Sequence, residues 1–523
     1  MKGGGSPSGS TVLRFQISCE KIYPVDWSQE MTRQRGRRYQ NDSPRWRRRT
    51  ASRVRLPVQW IVSFAAVIAV LETVPAHAQI AKYDVPGLDE NFRPDFKDSD
   101  AYFQFPSNVR PSHQLTGPMV GHVSSHQATI WAHAGPGHDL VVRYQPADGT
   151  DSRQVTKMVA HADRHHSATA QLQGLRESTR YEYQVFLDGK TDRAWKGWFT
   201  TAPPEGESTN FKMAFASCFG QGYQRRGQDA ERLTVPTGAS WYLLMAQQPA
   251  FHLLLGDNVY TNSTDYEYLW KCHMEERRIN RPFASVIRQV PTYAVWDDHD
   301  YGPNNSDGLE SGKEGSLRAF KSVFANPAYG TPQTPGVFFS FSWGDVDFFM
   351  LDNRYHRSPN NADNDLNKRM LGDGQFRWLT EKLTSSRAKF KVIVCGSSWT
   401  LSRTDSWRLF DFSRQRVLQT IAEHRINGVV YLSGDLHWCD LMKHKPVVPG
   451  GYPLYEIMSS ALDDHSAEYK GGRKEQESVR GFATLQFDTT LADPTIRVEI
   501  IHGDATVRLE HTIRHSELQV KAE

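Results

Sequence analysis

Cysteine is scarce in this 523-residue chain: there are five, and no two are closely paired. Cys19 lies in an N-terminal extension, leaving Cys218, Cys272, Cys395 and Cys439, a distribution that does not indicate a disulfide framework. Long apolar runs are missing too. The stretch at residues 56–70 falls short of the ~20 residues that span a bilayer as a helix. Nor is one sign of charge dominant, with 62 Lys and Arg against 59 Asp and Glu. The small excess of +3 is local, because residues 1–78 carry 13 basic and 5 acidic side chains and the rest is net −5. Nothing acidic, such as nucleic acid, is therefore implied as a partner of the mature protein. What remains is a length that calls for more than one domain, with 38% hydrophobic residues and 14 Trp to build cores.

The N-terminal 78 residues read as an extension ending in a secretory signal. Residues 45–55 (RWRRRTASRVR) are cationic, residues 56–70 are almost unbroken apolar sequence, and Ala76-His77-Ala78 places small residues where a signal peptidase reads them. Cleavage is expected after Ala78, giving an exported protein, periplasmic or at the cell surface. An N-terminal membrane anchor is the alternative. The residues before Arg45 exceed a normal n-region, so translation could begin at Met31 or later. Arg48-Arg49 lacks the apolar residues expected after a twin-arginine pair. Residues 79–113, rich in Pro, Asp and Asn, read as a linker or extended arm.

Residues 114–205 show short alternating strands, such as 128–132 and 140–144, separated by Gly and Pro turns, as in a small all-β sandwich domain. The run LQGLRESTRYEYQV at 172–185, with Thr179, Tyr181 and Tyr183, resembles the tyrosine corner of fibronectin type III and related immunoglobulin-like domains. These tyrosines would then be core and corner pieces, and the module would have a supporting or substrate-orienting role. From Phe211 strands alternate with helices, which implies an α/β domain over residues 206–523. An amphipathic helix is expected around Gly374–Leu383, with Phe376, Leu379 and Leu383 on one face.

Two stretches of this second domain carry the chemistry. FHLLLGDNVY at 251–260 reads as a buried strand delivering Asp257 at its C-terminal end, and PTYAVWDDHDYGPNN at 291–305 as another running into Asp297, Asp298, His299 and Asp300. Side by side in one sheet, these ends would gather carboxylates and an imidazole around one point. Carboxylates packed in one crevice raise each other's pKa unless a cation neutralises them. Oxygen donors mixed with imidazole suit divalent or trivalent metals that bridge a phosphate or a water. Taken singly, each stretch also reads as an exposed turn, since Asp, Asn and Gly are ordinary loop residues.

ASC at 216–218, GDNVY at 256–260, WDDHDYGPN at 296–304, LDNRYHR at 351–357 and SGDLHW at 433–438 occur in the order and rough spacing of the alkaline phosphatase D (PhoD-like) metallophosphatases. The resemblance covers residues 114 to about 510. It implies a two-layered αββα sandwich of the calcineurin-like phosphoesterase kind, preceded by the immunoglobulin/fibronectin-like sandwich. The chain lacks the D-x-H block of the broader group and has Cys218 at the corresponding strand end, a departure it shares with the narrower family.

Carried over residue by residue, the resemblance makes Cys218, Asp257, Tyr260, Asp435 and His437 metal-shell candidates, with Asp257 bridging two ions. A thiolate and a phenolate together suggest ferric iron. Asp298 and Asn304 would suit calcium or another hard divalent ion. His299 is implied as general acid, or as the residue orienting Asp298. Arg354 is a candidate phosphate clamp, and Arg357 a surface ion-pair partner. Cys272-His273 reads as structural, and Cys439 as packing beneath the site. The implied activity is metal-assisted hydrolysis of phosphate mono- or diesters, small or polymeric, by a hydroxide at the metal pair. Nucleotide sugars, phospholipids, pyrophosphate bonds or teichoic-acid-like cell-wall polymers are alternative substrates. A non-enzymatic surface-binding protein is the alternative of another class. Specificity would lie in loops at 261–281, 307–335 and 402–413.

Overall fold

The computed structural model describes residues 115–220, 239–400, 404–446, 449–462, 480–503 and 505–521. The expectations for residues 1–113 lie outside these.

Eight strands come first: β1 (Thr116–Val123), β2 (Gln127–His133), β3 (Leu140–Pro146), β4 (Gln154–Lys157), β5 (Val159–His161), β6 (Ser167–Gln173), β7 (Arg180–Leu187) and β8 (Lys196–Thr200). They pair as two four-stranded antiparallel sheets, ordered β1-β2-β6-β5 and β4-β3-β7-β8. Alternation decides the inner face: Tyr181, Tyr183, Val185 and Leu187 of β7 are buried while Arg180 is exposed. Tyr181 Oη accepts the Arg176 N–H at 2.9 Å, and its ring stacks on Phe199.

The chain then alternates: β9 (Asn210–Ala216), α1 (Ala239–Ala246), β10 (His252–Leu255), α2 (Tyr266–Ile279), α3 (Arg281–Ile287), β11 (Thr292–Val295), α4 (Asp298–Tyr301), α5 (Lys313–Val323), β12 (Phe339–Trp343), β13 (Val346–Met350), α6 (Gly372–Ser385), β14 (Phe390–Val394), α7 (Asp411–Glu423) and β15 (Val429–Ser433). β16 (Asp440–His444), β17 (Leu454–Met458), β18 (Gly481–Asp488), β19 (Thr495–His502) and β20 (Val507–Arg514) complete it. Among the described residues these strands make two six-stranded mixed sheets, β11-β10-β9-β18-β19-β20 and β12-β13-β14-β15-β17-β16.

The two sheets meet through aromatic rings. Phe251 lies edge-on to Phe348, Phe348 to Phe487, and Tyr293 stacks on Phe341 at 3.9 Å. Strands buried on both faces read as continuous apolar runs, as in HLLL of β10 and FKVIV of β14. Trp241 of α1 meets Phe283 of α3 and His252 of β10. Leu379 and Leu383 of α6 and Val417 and Ile421 of α7 pack against Ile393 and Tyr431 of the second sheet. Phe376 packs partly buried against the same cluster, and Gln375 is buried as well because its amide accepts Asp352 N–H at 2.8 Å and donates to Asp352 C=O at 2.7 Å.

The expected specificity loops are largely ordered elements: 261–281 contains α2 and 307–335 contains α5. Of the third, Asp405, Ser406, Trp407 and Phe410 are buried, so this part is core, and residues 402–403 lie outside the described residues. β9, β10 and β11 are parallel neighbours, as are β13, β14, β15 and β17. Their C-terminal ends open towards one crevice, the usual place for a site in such sheets.

Candidate metal centre

Cys218 follows β9, Asp257 follows β10, Asp297 and Asp298 follow β11, and Asp435 and His437 follow β15. Cys218 Sγ lies 3.5 Å from Asp257 Oδ2, and Tyr260 Oη 3.0 Å from His437 Nε2. Three sets of possible ligand atoms each lie within 4.8 Å of one another: Cys218 with Asp257 and His437; Asp257 with Asp298 and His299; and Asp297 with Asp298 and Asp435. Asp257 thus belongs to a thiol and imidazole group and also to an oxygen-rich one.

The backbone is bent to make this possible. Cys218, Asp257, Asp435 and His437 have φ of 58°, 51°, 73° and 61°, a left-handed conformation that costs non-glycine residues roughly 1–3 kcal/mol each and clusters at functional sites. Local hydrogen bonds hold the bends. Asp300 accepts the N–H groups of Asn258 (3.0 Å), Val259 (3.2 Å) and Asp297 (3.2 Å), tying together the turns after β10 and β11. Ser217 Oγ accepts from Asp435 N and Ser460 Oγ from His437 N.

The electrostatics fit a cation. Burial, then the charges of Asp298, Asp297, Asp300 and Asp435, push the Asp257 carboxyl well above the ordinary carboxylate range. Burial, then Asp297, Asp405 and Asp298, do the same to Asp435. The Cys218 thiol is raised by burial and then by Asp257 and Asp435. Asp298 moves the other way: burial, which raises it, is outweighed by Arg354, His299 and the Asn305 N–H at 2.6 Å. Buried anionic donors at this density call for added positive charge. Thiol, imidazole and phenol at one end and carboxylates at the other provide donors for two kinds of ion.

Two arginine expectations need correction. Arg354 is fully buried, and its guanidinium is engaged by Asp297 (Nε at 2.6 Å, Nη2 at 2.5 Å), Asp405 (Nη2 at 2.6 Å) and the Ser306 carbonyl (Nη1 at 3.1 Å). Its fork is spent on protein partners, so it does not stand as a phosphate clamp. Arg357 is no surface residue: it is 2% exposed, ion-paired with Asp405 and placed over the Phe410 ring.

Of the sequence-derived candidates, Cys218, Asp257, Tyr260, Asp298, His299, Asp435 and His437 come together. Asn304 is exposed, and its neighbour Asn305 reaches Asp298 through its backbone N–H. His299 is half-buried; its Nδ1 lies 3.3 Å from the Thr261 carbonyl, so that nitrogen donates and Nε2 is the nitrogen left for other partners. His273 is buried and points Nε2 towards Asp300 at 3.9 Å. Cys439 is half-buried against Ser460. Asp297 and Asp300 belong to the strand-end cluster named from the sequence, without a role of their own. Missed were Asn353, which sits inside a motif already noticed, and Asp405, which has no sequence signal.

The PhoD-like phosphatase family model matches residues 213–492, more than half of the chain, and a domain of unknown function (DUF7800) matches residues 112–204. Alkaline phosphatase D of Bacillus subtilis (strain 168) is 24% identical over 346 residues, covering 58% of this chain and 59% of that protein. Purple acid phosphatase 23 of Arabidopsis thaliana is 22% identical over 288 residues, covering 51% of this chain and 55% of that protein. The chain thus spans less than two thirds of the length of either relative. Among solved structures, that of PhoD superposes with a TM-score of 0.58 at 17% identity, over 79% of this chain and 94% of that one. Purple acid phosphatase PPD1 from yellow lupin (Lupinus luteus) gives a TM-score of 0.57 at 12% identity, over 77% and 74%. Both likenesses show an α/β metallophosphatase-like fold.

Proposed function

The chain belongs to the PhoD-like phosphatase family, and from that premise we propose that it is an exported, metal-dependent phosphoesterase acting on phosphate mono- or diesters. The observation that carries this reading is the double membership of Asp257, which stands between a Cys218/His437 group flanked by Tyr260 and an Asp298/His299 group. Cys218, Tyr260 and His437 would hold ferric iron; Asp298, with Asp435, would hold calcium or another hard divalent ion; Asp257 would touch both. Bound metals supply Lewis acidity and a water activated at neutral pH.

The remaining steps belong to the chain. Asp257 and Asp435, whose carboxyls burial pushes up, would hold the ions as carboxylates. His299 keeps Nδ1 on the Thr261 carbonyl, which leaves Nε2 as the nitrogen that would pass a proton to the leaving-group oxygen as general acid. Residues 114–205 form a supporting immunoglobulin/fibronectin-like domain in this reading, with Tyr181 as its corner residue. Among the described residues no helix is long and apolar enough to cross a membrane.

The test is elemental analysis and visible absorption of the purified protein and of Cys218→Ala, with hydrolysis of bis-(p-nitrophenyl) phosphate and p-nitrophenyl phosphate followed in parallel. Iron and a charge-transfer band that vanish in the variant together with activity are expected. A folded wild-type protein that takes up neither iron nor calcium and hydrolyses neither ester would sink the reading.

A further inference from the structure

Asp297 is wedged between the ends of the two sheets. A Cβ on Gly256 would stand 2.5 Å from Asp297 Cβ, and one on Gly396 would stand 2.7 Å from its Cγ and 2.9 Å from Oδ2. Glycine on both flanks is what lets this carboxylate in. Its two oxygens differ sharply. Oδ1 takes Asn353 Nδ2 at 2.6 Å, Arg354 Nε at 2.6 Å and Arg354 Nη2 at 2.5 Å. Oδ2 is equally buried and has no hydrogen-bond partner. The same carboxylate offers a ligand atom within 4.8 Å of those of Asp298 and Asp435. A buried carboxylate that keeps one oxygen without a donor and lies in reach of two more carboxylates is one that a cation would complete.

The far side of Arg354 is also built. Asp405 Oδ2 receives Nη2 at 2.6 Å, and Asp405 Oδ1 pairs with Arg357, so the guanidinium is braced between two aspartates and cannot turn towards Asp298 without abandoning both. We propose that Asp297 is a ligand of the second cation position beside Asp298 and Asp435, and that Arg354, braced by Asp405, is the positioning residue that fixes its carboxylate. This rests on the metallophosphoesterase reading above. It also assigns a use to a buried Arg–Asp pair that would otherwise be a costly way to fill a core.

The experiment is calcium binding by calorimetry to the purified full chain after loosely held ions are removed, with the metal at the Cys218 position counted by elemental analysis. Asp297→Asn is expected to weaken calcium binding by more than roughly 100-fold and Asp405→Asn by roughly 10-fold, the range for losing a partner behind a ligand. Both should keep wild-type metal at the Cys218 position, which general loosening of the fold would not spare. Wild-type calcium affinity in Asp297→Asn overturns the ligand role. Wild-type affinity in Asp405→Asn overturns the positioning role, and this variant, which leaves Asp297 intact, decides the matter if Asp297→Asn does not fold. A wild-type protein with no bound metal at either position refutes instead the reading on which the inference rests.

Discussion

At the seam between the β1–β8 sheets and the α/β core, buried contacts are mostly neutral hydrogen bonds and ring contacts, with Arg277 a buried cation over the Trp131 ring, whereas at the strand ends around Asp257 the buried groups are acidic and crowded. Across the seam, Trp131 Nε1 donates to the Ser322 carbonyl at 3.0 Å, and Tyr293 Oη accepts from Val123 N and donates to Val123 O. His165 stacks on Tyr266 and Trp270. Each of these contacts joins parts far apart in sequence, and none leaves net charge behind. At the strand ends the carboxylates raise one another, and four backbones are bent into the left-handed region. The first region is built to hold; the second is built to wait for a cation.

Removing the shared carboxylate should break this comparison most completely. Asp257→Asn takes away the oxygen donor common to both groups while preserving size. Metal content at both positions should fall, and phosphoesterase activity with it, by more than the roughly 100-fold seen when only a partner behind a ligand is lost. Because the seam does not depend on the metal, circular dichroism should still report a folded protein. Loss of only one of the two metals would show that Asp257 serves a single ion.

The pH dependence of stability should carry opposite signs in the two regions. Burial, opposed by Arg354, leaves Asp297 at about 7, and burial, opposed by its N–H donors, leaves Asp300 at about 7, while a carboxyl in the unfolded chain titrates near ~3.9. The folded metal-free protein therefore holds protons that the unfolded chain has lost, and this stability disappears as pH rises through about 7. In the seam, burial lowers His122 to about 4 and His133 to about 4, so their contribution is complete above the ordinary ~6.5 and fades only as pH falls. Above pH 6.5 the histidine part is flat and the carboxylate part is not. Scanning calorimetry of metal-free protein should thus show Tm falling between pH 6.5 and 8.5, on the order of 5 °C. In the metal-loaded protein, with an ion in place of the Asp297 proton, that fall should be smaller. A flat metal-free profile would remove the claim that burial holds protons on these carboxylates.

Much of the centre was legible because its ligands follow apolar strands directly. HLLL into Gly256-Asp257 and TYAV into Trp296-Asp297-Asp298-His299 advertise both the strand and the residue it delivers. Which of two adjacent residues points inward was less legible. Asn304 was the candidate, yet it is Asn305 whose backbone N–H meets Asp298, and Asp297 was named beside Asp298 without a role of its own, because the turn after the four-residue helix α4 that sorts them is a tertiary outcome. Arg357 read as a surface residue for want of a visible partner. Asp405, which buries it, lies 48 positions away in a segment with no periodic signal. The same reasoning applies to Gln375, whose burial is decided by the backbone of Asp352.

The smallest expected effect separates two tyrosines that look equivalent in the alternating strand β7. Tyr181 is internal to the sheet pair, its hydroxyl accepting the Arg176 N–H five residues back. Tyr183 reaches outward, and its Oη donates at 2.8 Å to the Arg288 carbonyl just past α3. Full burial lifts its pKa far above the ordinary phenol value, so the hydroxyl stays neutral and a donor throughout the accessible pH range. Gly197 on β8 makes room for it, since a Cβ there would stand 2.7 Å from the Tyr183 ring and 2.2 Å from the same carbonyl. Tyr183→Phe leaves the ring in place and strands one carbonyl, which should cost about 1 kcal/mol in urea unfolding, with metal content and activity unchanged. Because the lost bond lies in the seam, the cost should be the same with and without metal. A larger loss in the metal-loaded protein would mean that the seam and the metal centre are energetically coupled, and that the β1–β8 sheets do more than support.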